Sequence, residues 1–134
     1  MTEDRLAVRL DIARQAVIRL AEAAALPEDS ITRDATIKRF EFSWEAVWKC
    51  MQTHAQFQGF EGAGPRQAIR HAFTTGIVAT PEAADAWFRM LDDRNRTTHL
   101  YDESSSQEVY EHIRDEYVVM LGTMVETLRR ALGS

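Results

Sequence analysis

The sequence predicts an all-α protein: an up-and-down bundle of about five helices, three long and two short, in a single domain over residues 1–134. Three observations predict it. Apolar residues recur at helical spacing nearly from end to end, with no strand-like alternation. Glycine and proline number only six and three, which favours long regular elements over many turns. Hydrophobic residues make up 45% of the chain, enough to build a core in a domain of this length.

The first helix spans roughly 3–25, where Leu6, Leu10, Ala13, Val17, Leu20 and Ala24 step by four and three. Pro27 breaks it. The second spans roughly 31–54 and carries a heavy apolar face of Ile37, Phe40, Trp44, Val47, Trp48 and Met51, widened by Phe42. Such a face belongs at the centre of a bundle or against a partner. After the loop AQFQGFEGAG, Pro65 suits the first position of a short helix over roughly 65–75, and Gly76 suits its end. Thr80 is an N-cap candidate for a fourth helix, with Pro81 and Glu82 in its first turn. Trp87, Met90, Leu91 and Arg94 continue the inner face of that helix. The last helix spans about 105–132, with capping-box spacing at Ser104/Gln107 and Ser105/Glu108. Its stripe is Val109, Ile113, Tyr117, Met120, Leu121, Met124 and Leu128. The Met and aromatic positions read as core.

Composition narrows the function classes. The first residues are charged throughout, and no apolar run approaches the ~20 residues of a membrane span, so a cytoplasmic protein without a membrane partner is expected. The lone Cys50 lies beside Trp48 and Met51 and reads as a small core residue. No Cys/His cluster has zinc spacing, so neither a metal nor a cofactor is expected. A net charge of −5 argues against broad, charge-driven capture of nucleic acid, although a small basic pocket is compatible with it.

One stretch carries chemistry: RNRTTHLYDE, Arg94 to Glu103. Its Arg-x4-His spacing is uninformative alone, because Arg66 and His71 repeat it. Five residues turn an ideal helix about 500°, which leaves Arg94 and His99 about 140° apart, whereas Asn95 and His99 share a face. An amide there can fix the imidazole's ring and tautomer. Arg94 joins them if the helix loosens at its end, or if a second subunit supplies a facing copy. A histidine can take a proton from a ribose 2′-hydroxyl or protonate a leaving oxygen, and an arginine can hold the phosphate, with no metal required. Tyr101 adds a hydroxyl open to modification. The plain alternative is a helix C-terminus whose cations meet the dipole. Arg66 and Arg70, four apart, either extend a phosphate-binding surface or form a solvated face. Asp92 and Asp93 point to different sides of their helix and read as solvated, or as partners for Arg89 or Arg96. His54 and His112 receive no role.

The whole stretch resembles the signature of the HEPN superfamily, whose ribonucleases carry Arg, a polar residue, three variable residues and His. Arg94, Asn95 and His99 match it. The extension to Tyr101 resembles the Arg-x4-His-x-Tyr motif of HepT-type toxins. RFEFSWEAVWK (39–49), PRQAIRHAFTTGIV (65–78) and WFRMLDDRNRTTHLYDE (87–103) resemble successive blocks of nucleotidyltransferase substrate-binding proteins. That group often has SPR where this chain has GPR, Gly64 to Arg66. His71 lacks the following motif residues and is incidental.

The resemblance implies an HEPN-like bundle that forms a homodimer, with paired motifs near its interface. It also implies a cognate minimal nucleotidyltransferase as partner. In the first reading the chain is a metal-independent endoribonuclease toxin of a two-gene toxin–antitoxin module. His99 is its acid/base, Arg94 its phosphate ligand and Asn95 the residue that positions His99. RNA is the substrate, and Tyr101 accepts AMP from the partner. In the second reading the chain is a non-catalytic substrate-binding subunit of the nucleotidyltransferase. The chain is not itself that enzyme, which needs a Gly-Ser loop before paired aspartates on a strand.

Overall fold

The computed structural model describes residues 2–62, 64–100 and 102–133. Helix α1 (Thr2–Ala24) and helix α2 (Ser30–Phe57) form a long antiparallel hairpin. Two short helices follow, α3 (Pro65–Thr74) and α4 (Pro81–Arg96), and α4 tightens into a 3-10 turn over Thr97–His99. The last rod is built from α5 (Glu103–His112), a π turn (Ile113–Tyr117) and α6 (Val118–Gly133). Five helical rods result, and no strand occurs among the described residues.

Local chemistry explains most boundaries. Thr80 caps α4 as expected, its Oγ1 accepting from the Ala83 amide at 3.1 Å. Gly76 follows α3 with φ +84°, the left-handed conformation that a residue without Cβ adopts at low cost. The last rod starts differently from expectation. Asp102, not Ser104 or Ser105, is the N-cap, accepting from the Ser105 amide at 2.6 Å. An aspartate caps as well as a serine, and its charge meets the positive end of the dipole. Hydrogen bonds from the Ser105 amide and hydroxyl, with the Arg96 charge nearby, hold the Asp102 carboxyl below its usual range.

Helix α2 is central, packing against α1, α3, α4, α5 and α6. Phe40 stacks on Tyr117 with ring centroids 5.7 Å apart, and Trp44 meets Trp87 at 6.0 Å. Leu10, Leu20, Phe40, Val47, Ile69, Met90, Ile113 and Leu121 are sealed from solvent. Each such side chain contributes ~1.5–3 kcal/mol by burial. Cys50 is in the core as expected, and burial pushes its thiol up to about 12. Phe42 corrects the sequence reading: its residue is 62% exposed and widens no core face. Among the described residues, no helix is long and apolar enough to cross a membrane.

Candidate functional site

The Arg94–His99 stretch lies where α4 ends. Its helical turn does not loosen. It tightens to three residues per turn, which carries His99 further round rather than back toward Arg94. The two side chains therefore leave a single chain on different faces.

Arg94 is half-buried against α2. Its Nη1 lies 3.4 Å from Glu41 Oε2 and its Nη2 4.0 Å from Glu45 Oε1. Nη1 also donates to Thr97 Oγ1 at 3.1 Å, and Thr97 Oγ1 donates to Glu41 Oε2 at 3.0 Å. The buried Nε of Arg94 has no hydrogen-bond partner among the described residues. The guanidinium is thus fixed in direction by two carboxylates and a hydroxyl, with one donor unused. His99 is exposed at the end of the 3-10 turn. Asn95 is exposed too. Its carbonyl accepts from Thr98 Oγ1 at 3.1 Å, and its side chain has no hydrogen-bond partner among the described residues, so the expected amide–imidazole contact is not formed there. The AMP-acceptor candidate, Tyr101, lies outside the described residues.

Arg66 and Arg70 lie on the exposed side of α3. Arg66 stacks over the Phe88 ring at 5.4 Å and reaches Asp92 at 4.0 Å. This contact places Arg66 on the α3 side of α4, while Arg94 is tied to the α2 side. The structure does not gather them into one pocket. Arg89 pairs with Glu116 at 2.8 Å, not with either aspartate.

The largest difference from the sequence reading is Asp93. It is only 6% exposed. Its Oδ2 accepts from Tyr117 Oη at 2.6 Å and faces His112 Nδ1 at 2.7 Å. Its Oδ1 accepts from Arg96 Nη1 at 3.2 Å, and the same nitrogen reaches Glu108 at 3.2 Å. Burial, then the hydrogen bond and charge of Asp93, push the Tyr117 hydroxyl far up, so it stays protonated and donates. The bond to Glu108, with the Asp93 charge beside it, also raises Arg96. This network clamps the last turn of α4, which carries Arg94 and Asn95, onto the last rod. The sequence anticipates the pairing of Asp93 with Arg96, but neither the burial of Asp93 nor the role of His112.

The π turn makes the clamp possible. On an α-helix His112 and Tyr117 stand about 140° apart, whereas the widened turn aligns residues five apart on one carboxylate. A signal for it lies in the sequence. Val109, Ile113, Tyr117 and Leu121 are all buried at steps of four. Each such step overshoots an α turn by about 40°, and a wider turn absorbs that drift.

Fold and motif define the class of protein, an all-helical HEPN-type chain. The profile of the family described as "Nucleotidyltransferase substrate binding protein like" matches residues 8–130, nearly the whole chain. The chain belongs to this family. It is 28% identical over 111 residues to a Haemophilus influenzae protein named "Probable ribonuclease HepT", covering 79% of this chain and 73% of that protein. A crystal structure of a protein from Thermus thermophilus superposes with a TM-score of 0.76 at 31% identity, covering 91% of this chain and 99% of the other. The HepT-like resemblance read from residues 94–101 thus extends over the helical domain. Among the described residues, no group of three or more His, Cys, Asp or Glu side chains is placed to hold a metal ion.

Proposed function

We propose that this chain is the HEPN-type partner of a minimal nucleotidyltransferase, and that it is an endoribonuclease toxin silenced by AMP transfer to Tyr101. The observation that carries this reading is the placement of Arg94 and His99. An oriented guanidinium and an exposed imidazole, five residues apart, leave one helix end on different faces. A homodimer supplies the missing partner, because a two-fold axis near α4 brings His99 of one copy toward Arg94 of the other.

The chemistry follows from the two groups. His99 takes the proton of a ribose 2′-hydroxyl as that oxygen attacks the adjacent phosphorus. The bond from phosphorus to the 5′-oxygen breaks, and a protonated imidazole supplies the proton that this leaving oxygen needs. Arg94 stabilises the charge that builds on the phosphoryl oxygens. Each step uses a proton or a fixed cation, so the reaction needs no metal. AMP on Tyr101, two residues beyond His99 in the sequence, adds bulk and a negative charge to the motif, and both disfavour RNA.

The second reading, a non-catalytic substrate-binding subunit, is favoured by one observation. Glu41 and Glu45 already neutralise Arg94. The deciding experiment is the intact mass of the protein after incubation with the cognate nucleotidyltransferase and ATP-Mg, with Tyr101→Phe alongside. One or more AMP adducts, absent in Tyr101→Phe, support the toxin reading. A stable complex with no adduct supports the subunit reading.

A further inference from the structure

Phe42 presents its ring to solvent rather than to the core. It lies in the middle of the central helix with 62% of its surface exposed. Its surroundings are cationic. Lys38 Nζ sits 5.3 Å from the ring centroid. Arg39 crosses to α1 and donates to the Arg19 carbonyl at 2.8 Å. Among the described residues the ion pairs of this face are those of Lys38 and Arg94 with Glu41, and of Arg94 and Lys49 with Glu45, and none involves Arg19 or Arg39. Phe42, Arg39, Arg19 and Gln15 border one open cavity of about 430 Å³.

The patch adjoins the motif. Glu41 bridges Lys38, at 3.9 Å, and Arg94, at 3.4 Å. Phe42 follows Glu41 directly on α2. The Arg94 contact and the exposed ring thus lie on adjacent residues of one helix.

We propose that Phe42, Lys38, Arg39 and Arg19 form a subsite for single-stranded RNA, in which a base stacks on Phe42 and the cations hold the flanking phosphates. The proposal rests on the ribonuclease reading for the identity of its ligand and gives that site a second contact with its substrate. Exposed aromatic rings interleaved with cations suit single strands, because every base offers a π-face and the backbone offers regular charge. The cavity accommodates one nucleotide, and the Gln15 amide beside it can meet a base edge. A double helix does not fit this use, since its bases are already stacked on one another.

The test is a fluorescence-anisotropy titration with a fluorescein-labelled, 2′-O-methylated single-stranded RNA, which cannot be cut through a 2′-hydroxyl. Phe42→Ala is expected to weaken binding roughly tenfold or more, and Phe42→Trp to restore it. Lys38→Gln and Arg39→Gln are each expected to lower the slope of log affinity against log salt by about 0.7. Phe42 and Lys38 are exposed, so their variants should melt with the parent. Binding by Phe42→Ala equal to the parent's overturns the proposal, and so does the absence of any RNA binding at low salt. A change from dimer to monomer in sedimentation of Phe42→Ala overturns it as well, by assigning the ring to a protein contact. Cleavage of unmodified RNA separates this inference from the reading beneath it. Phe42-dependent binding without cleavage removes the ribonuclease reading and keeps the subsite. Cleavage with unchanged KM in Phe42→Ala keeps the ribonuclease and removes the subsite.

Discussion

Asp93 and Tyr117 meet through a 2.6 Å hydrogen bond across the interface between α4 and the last rod. The same carboxylate oxygen holds His112 Nδ1 at 2.7 Å. Removing the acceptor strands a buried phenol. Asp93→Ala is expected to cost ~3 kcal/mol of unfolding free energy, and Tyr117→Phe ~1.5 kcal/mol, both read from urea melts. If both variants melt with the parent, the clamp contributes nothing.

Arg94 is restrained by Glu41, and Glu41 is an anion between two cations that RNA would use. Glu41→Gln frees the guanidinium and removes that competing charge. RNA affinity is expected to rise on the order of two- to fivefold, while stability falls by less than about 1 kcal/mol, since the pair is only partly shielded from water. Anisotropy titration and a urea melt check the two arms. A fall in affinity would show instead that Glu41 holds Arg94 in its working direction.

His54 is buried, and burial, with the nearby His71 charge, lowers its affinity for a proton in the fold. The unfolded chain therefore binds the proton more tightly than the folded one. Stability from this group is fully present above the ordinary histidine value of about 6.5 and is lost as pH falls through the lowered folded value. The melting temperature should drop as pH moves from 7 downward through that window, and His54→Gln should flatten the slope. An unchanged slope in the variant assigns the drop to other groups.

Cys50 has no exposed surface, and its thiol is pushed up to about 12. A thiol-specific reagent at pH 8 should label it only in denaturant, because the reactive species is the thiolate. Prompt labelling of the native protein would contradict its place in the core.

What the sequence discloses, and what it hides, divides along physical lines. Thr80 acts through its hydroxyl on an amide three residues on, and Pro65 and Gly76 through their own backbone, so the ends they set are legible without tertiary structure. The apolar stripe of α2 is legible for the same reason, as period alone defines a face. Asp93 is not, because two adjacent acids look alike until packing fixes which side of α4 faces inward. Phe42 is misplaced by a sequence reading because hydrophobic identity does not entail burial, and nothing requires every large ring to be inside. At the motif, Arg94, Asn95 and His99 are singled out by the resemblance of the whole stretch to a family signature, not by spacing alone. Their directions depend on a 3-10 turn and on carboxylates from α2, and spacing encodes neither.

The most direct test of the central claim is the cleavage of a labelled single-stranded RNA by the purified chain in buffer containing EDTA, beside His99→Ala and Arg94→Ala. The account predicts cleavage that persists in EDTA and falls on the order of 10²- to 10⁴-fold in each variant, with melting temperatures near the parent's. Cleavage at the parental rate in His99→Ala would contradict it.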